Sequence, residues 1–297
     1  MTRFPRLPLL ALVVLSIIWG YSWVFFKLGL RDAGPFTFAG LRTFLGALSL
    51  LLVLFAAGRS LRLTRGREVL LLGLVNTTAS IACSQWALLH GPANRTSVLM
   101  YTMPFWTLLI AWPALGERVR GAQWLAITCA GAGLVIVIQP WALQGHGAAN
   151  ASILAAALLW SLGSILTKRI LARAPYDLLA LTGWQLLFGS FGLLALASLA
   201  QEPPAIWTPR FIGALCATAL VSTAFGWVVW AYLLNRLPAG MASMMTLLTP
   251  VVAVASTSWQ LGESLAPSDV TGMALILGGL VILSVRALGR HLANATA

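Results

Sequence analysis

The sequence predicts an all-α integral membrane protein with ten transmembrane helices, arranged as two inverted five-helix repeats. Three observations carry that expectation. Of 297 residues, 59% are hydrophobic and only 9% charged, against about 25% charged in an average soluble domain. Seven Asp and Glu cannot cover a globule of this size in water, which excludes a soluble enzyme. Ten apolar runs follow one another, each close to the roughly 20 residues that cross a bilayer. Finally, the second half of the chain repeats the first.

A window of about 19 residues places the runs at 8–29, 36–57, 69–89, 95–115, 122–140, 151–172, 177–199, 211–235, 239–261 and 269–287. The first follows Arg3 and Arg6 as a secretory signal would. It continues, however, through Trp19, Tyr21, Trp23, Phe25 and Phe26 with no small-residue cleavage site, so it reads as a helix that stays. Gly34-Pro35 opens the second run and the basic stretch 59–67 ends it. The third stops at Gly91-Pro92, the fourth at Gly116-Glu117 and the fifth at Gln144-Gly145-His146-Gly147. Lys168, Arg169 and Arg173 close the sixth and Pro203-Pro204 follows the seventh. The eighth ends at Leu237-Pro238 and the ninth at Gly262-Glu263, and the tenth runs to Arg286 and Arg290. The repeats accordingly divide the chain at 1–145 and 146–297, with no room for a separate soluble domain.

The net charge of +12 raises the question of nucleic acid. The bases sit instead in short clusters between apolar runs, where they orient helices and meet anionic lipid, and no basic stripe interleaves with aromatics, so no nucleic-acid partner is expected. With the N-terminus cytoplasmic, 14 bases fall on the inner side. These are Arg3, Arg6, Arg59, Arg62, Arg65, Arg67, Arg118, Arg120, Lys168, Arg169, Arg173, Arg236, Arg286 and Arg290. Lys27, Arg31, Arg95 and Arg210 fall outside, and Arg42 lies within the second run. That asymmetry is the expectation for ten crossings with both termini cytoplasmic in the inner membrane. Cys83, Cys129 and Cys216 lie far apart in apolar runs and carry no redox signal.

Residues 92–137 align without a gap on 238–283, at an offset of 146. The match pairs Pro92 with Pro238, Ser97 with Ser243, Pro104 with Pro250 and Gly116-Glu117 with Gly262-Glu263. Gly133-Leu134-Val135-Ile136 recurs as Gly279-Leu280-Val281-Ile282, and at an offset of 141 Trp19 through Lys27 matches Trp160 through Lys168. Five crossings per copy force the second copy to enter from the opposite side. The charges agree, since Arg118 and Arg120 follow the first Gly-Glu and no base follows the second within 264–269. Inverted repeats are a recurrent device of secondary transporters, because exchanging the conformations of the halves exchanges inward-open for outward-open.

These features together, with Trp-Gly-Tyr-Ser at 19–22, the repeated Trp-to-Lys spacing and Gly-Glu after the fourth and ninth runs, resemble the drug/metabolite transporter superfamily, specifically its EamA-type exporters. The resemblance covers essentially the whole chain, and the Trp-rich sequence looks most like the branch that exports aromatic and other neutral amino acids. It implies a central cavity lined by helices one to four and six to nine, with five and ten peripheral. The implied function is export of amino acids such as Trp, Phe, Met and Thr by facilitative alternating access, with no cofactor and no enzymatic activity.

Candidate cavity residues follow from polar and aromatic groups inside the runs. Trp19, Trp23 and Lys27 lie four apart on one helix face, as do Trp160, Ser164 and Lys168. The rings suit a cavity and the lysines its mouths, although Trp at a lipid belt and snorkelling Lys read the same way. Asn76, Ser80 and Ser84 form a polar stripe beside Thr77, Thr78 and Gln85, suited to lining a cavity or to joining helices. Arg42, Trp184 and Gln185 fall within the second and seventh runs, and Arg42 suits a substrate carboxylate or a tie to backbone carbonyls. Ser222, Thr223, Gly226, Trp227 and Trp230 make a mixed face in the eighth. Pro104 and Pro250 are expected to kink the fourth and ninth helices, freeing the carbonyls of Met100 and Thr246, with Ser97 and Tyr101 facing the same region; the kinks are hinges or static bends.

Every acid, Asp32, Glu68, Glu117, Asp177, Glu202, Glu263 and Asp269, lies at a helix end or loop, which disfavours proton coupling through a mid-membrane carboxylate. His90 is the histidine nearest a cavity and reads as a loop residue. A zwitterion suits such walls, with Arg or Lys for its carboxylate and Trp faces for its ammonium. A membrane enzyme lacks a motif here, since no His-Glu-x-x-His or Gly-x-Ser-x-Gly occurs and no metal site is expected. A flippase for a lipid-linked metabolite and a channel remain as alternatives. Glycines 131, 133, 272, 278 and 279 give the fifth and tenth helices small-residue faces that could pack within a monomer or across a homodimer.

Overall fold

A computed structural model of the chain describes residues 6–116, 121–138, 147–173, 176–236, 248–265, 267–268, 270–279 and 281–282. Every regular element among them is helical. The first half comprises α1 (Arg6–Gly29), α2 (Pro35–Ala56), α3 (Gly66–His90), α4 (Ala93–Leu115) and α5 (Ala122–Ile138). The second comprises α6 (Gly147–Arg173), α7 (Leu178–Leu199), α8 (Pro209–Arg236), α9 (Leu248–Leu261) and α10 (Val270–Gly279). Among the described residues, seven helices, α1 to α4 and α6 to α8, are long and apolar enough to cross a membrane. The shorter α5, α9 and α10 fall where the fifth, ninth and tenth spans are expected. The boundary at 145/146, the start of the ninth run, the end of the tenth and the Arg118–Arg120 turn lie outside the described residues.

Local chemistry sets the helix starts. Pro35 opens α2, where its missing N–H would be unbonded anyway. The Glu202 carboxylate, from the loop after α7, accepts the Phe36 and Thr37 amides at 3.0 and 2.7 Å. At the opposite end of the bundle Asp177 caps α7 by accepting from the Leu179 and Ala180 amides, and Arg59, from the loop after α2, reaches it at 2.5 Å. In each copy, therefore, the loop after the second helix of the other copy secures its second helix.

Two helices depart from simple periodicity. α3 passes through a π-helical segment at Gly73–Ala79, and α8 does so at Ala217–Phe225, so the distortion occupies corresponding places in the two copies. Such wide turns are rare and concentrate at functional sites. α4 does not bend around a mid-helix Pro104 as expected but stops at Met100 and restarts at Met103. Pro104 then sits in the first turn of the restarted helix, where a residue without an N–H costs least, and the Phe105 amide closes a tight turn onto the Thr102 carbonyl at 3.0 Å.

The copies interleave. α2 runs along α7, α1 along α9, and α6 against α3 and α4, so the largest interfaces join different copies. Equivalent contacts recur. A Cβ on Gly20 would stand 2.7 Å from the Thr249 carbonyl, and the equivalent Ser161 hydroxyl donates to the equivalent Met103 carbonyl at 2.9 Å. On α2, Gly46 faces the Ala219 carbonyl and Thr223, while on α7 Gly189 faces Thr77. Away from this centre, α5 and α10 meet where a Cβ on Gly133 would stand 2.5 Å from the Gly272 carbonyl.

Candidate functional site

At mid-bundle the first half of the chain brings α1, α2, α3 and α4 against α6 and α8 around a cavity with about 600 Å³ of empty space, including the part open to solvent. Its aromatic wall is Trp19, Trp23, Phe26, Tyr101, Trp160 and Trp227. The Trp160 ring stands edge-on to Trp19 and to Trp227, with centroids 5.6 and 4.9 Å apart, and Trp230 lies behind it at 6.3 Å. Edge-to-face contact is the favoured arrangement of aromatic quadrupoles, so the rings brace one another. Trp19 donates its indole N–H to the Ser222 carbonyl at 3.0 Å, whereas the Trp160 indole N–H has no partner among the described residues.

The polar part of the wall is Arg42, Ser80, Ser84, Gln85 and Ser222, with Ile81, Met100 and Met103 completing it. Arg42 is 4% exposed. Its Nη1 donates to Thr223 Oγ1 at 2.9 Å, its guanidinium carbon lies 4.5 Å from the centre of the Phe26 ring, and its Nε has no partner among the described residues. No carboxylate stands within ion-pair distance of it among the described residues. Gln85 is equally buried, with its amide oxygen unpartnered. The described lining holds one formal charge, that of Arg42, and no paired acid and base, so the arrangement is suited to holding a molecule rather than to breaking a bond in it. Among the described residues no three His, Cys, Asp or Glu cluster closely enough to share a metal ion.

Of the residues singled out from sequence, Trp19, Trp23, Arg42, Ser80, Ser84, Gln85, Tyr101, Trp160, Ser222 and Trp227 meet in this cavity. The rest stand elsewhere. Asn76 packs against Gly163, and Ser97 donates to the Asn94 carbonyl. Ser164 donates back to the Trp160 carbonyl, as helix hydroxyls do. Thr223 and Gln185 join helices, the latter donating to Thr77 Oγ1 at 3.3 Å. Trp184 lies at one end of the bundle, its indole N–H on the Leu61 carbonyl and its ring against Phe188. Lys168 is half-buried towards the end of α6. Pro250 is buried in the first described turn of α9, and the Thr246 carbonyl expected to be freed before it lies outside the described residues. The side chains of Phe26, Ile81, Met100 and Met103 carried no signal in the sequence as cavity walls. The two methionines flank the Tyr101–Thr102 break, so helical spacing across it misassigns which residues share a face.

A second cavity lies where α1 ends, lined by Lys27, Leu30, Arg31, Leu89, Leu261 and Glu263. Lys27 Nζ donates to the Leu88 and Gly91 carbonyls, each at 2.7 Å, and the Glu263 carboxylate accepts the Ala93 and Asn94 amides at 2.7 and 2.8 Å. This fastens α1, the α3–α4 turn and the Gly262-Glu263 turn together. His90 is exposed nearby, its ring against Trp86.

Comparison with known proteins adds family and fold. The sequence pattern of the EamA-like transporter family matches residues 6–139 and again 148–285. A probable amino-acid metabolite efflux pump of Salmonella typhimurium is 31% identical, over 92% of this chain and 93% of its own. The uncharacterized transporter YoaV of Bacillus subtilis is 29% identical over 92% and 94%. A probable terminal-alkyne amino-acid exporter of Streptantibioticus cattleyicolor is 29% identical over 95% and 94%. A solved crystal structure superposes with a TM-score of 0.73 at 19% identity, covering 97% of this chain and 99% of that one, which is a likeness of fold.

Proposed function

The chain belongs to the EamA-like transporter family and is an integral membrane protein, and from that premise we propose that it exports aromatic and other neutral amino acids by alternating access. The observation that carries this reading is the tryptophan-walled cavity at the junction of the two copies, which offers flat apolar faces to a side chain and a guanidinium to a carboxylate. The names of the relatives from Salmonella and Streptantibioticus support an amino-acid substrate. The sequence-named residues that meet in the cavity are the substrate contacts in this account, and residues 1–145 and 146–297 are the halves that exchange conformation. The break before Pro104, matched in sequence by Pro250, is where each half bends.

Both termini face the cytoplasm in this account. Residues 59–64 meet Tyr176, Asp177 and Trp184 at one end of the bundle, where α6 and α4 also end. There Tyr176 bonds Thr64, Arg169 bonds the Ala114 carbonyl and Arg173 pairs with Glu68. Lys27, Arg31 and Arg210 gather at the other end with Asp32 and Glu263. The arginine-rich end is the cytoplasmic one. Transport is facilitative, because the described lining offers no carboxylate or histidine to carry a proton. Uptake of labelled Trp, Phe, Met and Thr into proteoliposomes tests the proposal. Saturable flux without an imposed gradient is expected; absence of flux above empty liposomes from folded protein would reject an amino-acid substrate and favour a lipid-linked one.

A further inference from the structure

Arg42 and Gln185 occupy equivalent places in the two copies, Arg42 between Gly40 and Gly46 and Gln185 between Gly183 and Gly189. Each donates one hydrogen bond to the equivalent threonine of the other copy, Arg42 to Thr223 and Gln185 to Thr77. The joint between second and third helices is thus made in one copy by a neutral amide. A guanidinium in the other copy satisfies the same joint and brings in addition a full charge, whose burial costs free energy unless an anion compensates it. No side chain does so among the described residues: the Nε of Arg42 has no partner and no carboxylate is near.

A second departure from symmetry involves two residues that line the same cavity. Trp19 and Trp160 are equivalent, yet among the described residues the Trp19 indole N–H meets a carbonyl and that of Trp160, a residue 7% exposed, has no partner. Two unpartnered buried donors, one of them charged, therefore border one cavity. The complementary group is a planar pair of anionic oxygens, which the guanidinium fork binds best. For an ammonium the described lining offers only neutral groups: the Gln85 carbonyl, unpartnered among the described residues, the hydroxyls of Ser80, Ser84 and Ser222, and the aromatic faces.

We propose that Arg42 and the Trp160 indole N–H form a carboxylate subsite, and that the cavity selects its substrate by a carboxylate on an aromatic or apolar body, with the α-ammonium secondary. This deepens the amino-acid reading above and rests on the same cavity. It extends the substrate class to carboxylates that lack the amine.

Calorimetric titration of the purified protein with phenylalanine, 3-phenylpropionate (no amine) and phenethylamine (no carboxylate) tests it, alongside the variants R42Q and W160F. R42Q installs the residue that makes the equivalent joint in the other copy, so the fold is expected to survive. In the wild type, 3-phenylpropionate should bind within about tenfold of phenylalanine, and phenethylamine about tenfold or more weaker than 3-phenylpropionate. R42Q should weaken both carboxylates by about tenfold or more and leave phenethylamine unchanged, and W160F should weaken the carboxylates to a smaller degree. The proposal is overturned if folded R42Q binds 3-phenylpropionate as the wild type does, if phenethylamine binds the wild type as well as 3-phenylpropionate, or if no carboxylate probe binds. The wild-type ranking decides even where a variant does not fold. Binding of 3-phenylpropionate that R42Q abolishes, with no amino-acid flux, removes the amino-acid reading and keeps this one; saturable amino-acid flux unaffected by R42Q does the reverse.

Discussion

Trp19 and Trp160 hold the same position in the two copies and meet edge-to-face, their centroids 5.6 Å apart and their planes at 89°. The cavity they border is thus walled by the first helix of each copy. An interchange of conformations between the halves would reshape the cavity from both sides while leaving it in place.

Loss of the Trp160 ring removes a wall that contacts Trp19, Trp227 and Trp230. W160A should reduce the initial rate of Trp flux by roughly tenfold or more. W184A alters a side chain at the bundle's end and should leave the rate within about twofold. Equal rates for W160A and wild type, with protein shown to be folded, would remove Trp160 from the path.

The close crossing of α2 and α8 depends on Gly46, where a Cβ would stand 2.9 Å from the Ala219 carbonyl and 3.0 Å from Thr223 Cγ2. G46A should lower stability by about 1–3 kcal/mol through overpacking, read as a reduced melting temperature in detergent. A melting temperature at or above that of the wild type would show that the helices yield there at no cost.

An alanine at 104 would restore an amide able to bond the Met100 carbonyl and favour a continuous α4 across Tyr101–Thr102. P104A should slow turnover several-fold while changing substrate affinity less. If turnover is normal, the break is a static feature.

Asp32, in the turn after α1, accepts from Arg210 Nε and Nη2 at 3.0 and 2.6 Å and from Thr208 Oγ1 at 2.9 Å. The Arg210 hydrogen bonds hold its carboxyl below the usual carboxylate range. A depressed folded-state pKa stabilises the fold above the unfolded value of about 4, and that contribution is lost as pH falls through the lower folded-state value. D32N should therefore melt below the wild type at pH 7, and the difference should narrow as the medium is acidified below about pH 4. A difference independent of pH would mean that the carboxylate charge is not what Arg210 recognises.

Apolar runs and Gly-Pro breakers made the helices legible in the sequence, and the repeats made the equivalence of Trp19 and Trp160 legible. The π-helical segments of α3 and α8 were not, because apolar spacing does not distinguish a wide turn from an ordinary one, and Pro104 announced a bend in α4 without showing that the helix would stop at Met100 and restart at Met103. Periodicity put Ser164, and a place within the seventh run put Trp184, with the cavity group, whereas the hydroxyl bonds its own helix and the indole reaches Leu61. The unequal partners of Arg42 and Gln185 emerged only once Thr223 and Thr77 stood opposite them.

The most direct test of the central claim is counterflow: uptake of labelled Trp into proteoliposomes preloaded with unlabelled Trp, compared with empty-loaded vesicles and with W160A. An alternating-access carrier using this cavity predicts faster, saturable uptake under preloading, and its loss in W160A. Uptake that rises linearly with concentration, is indifferent to preloading, or persists in W160A would contradict the account.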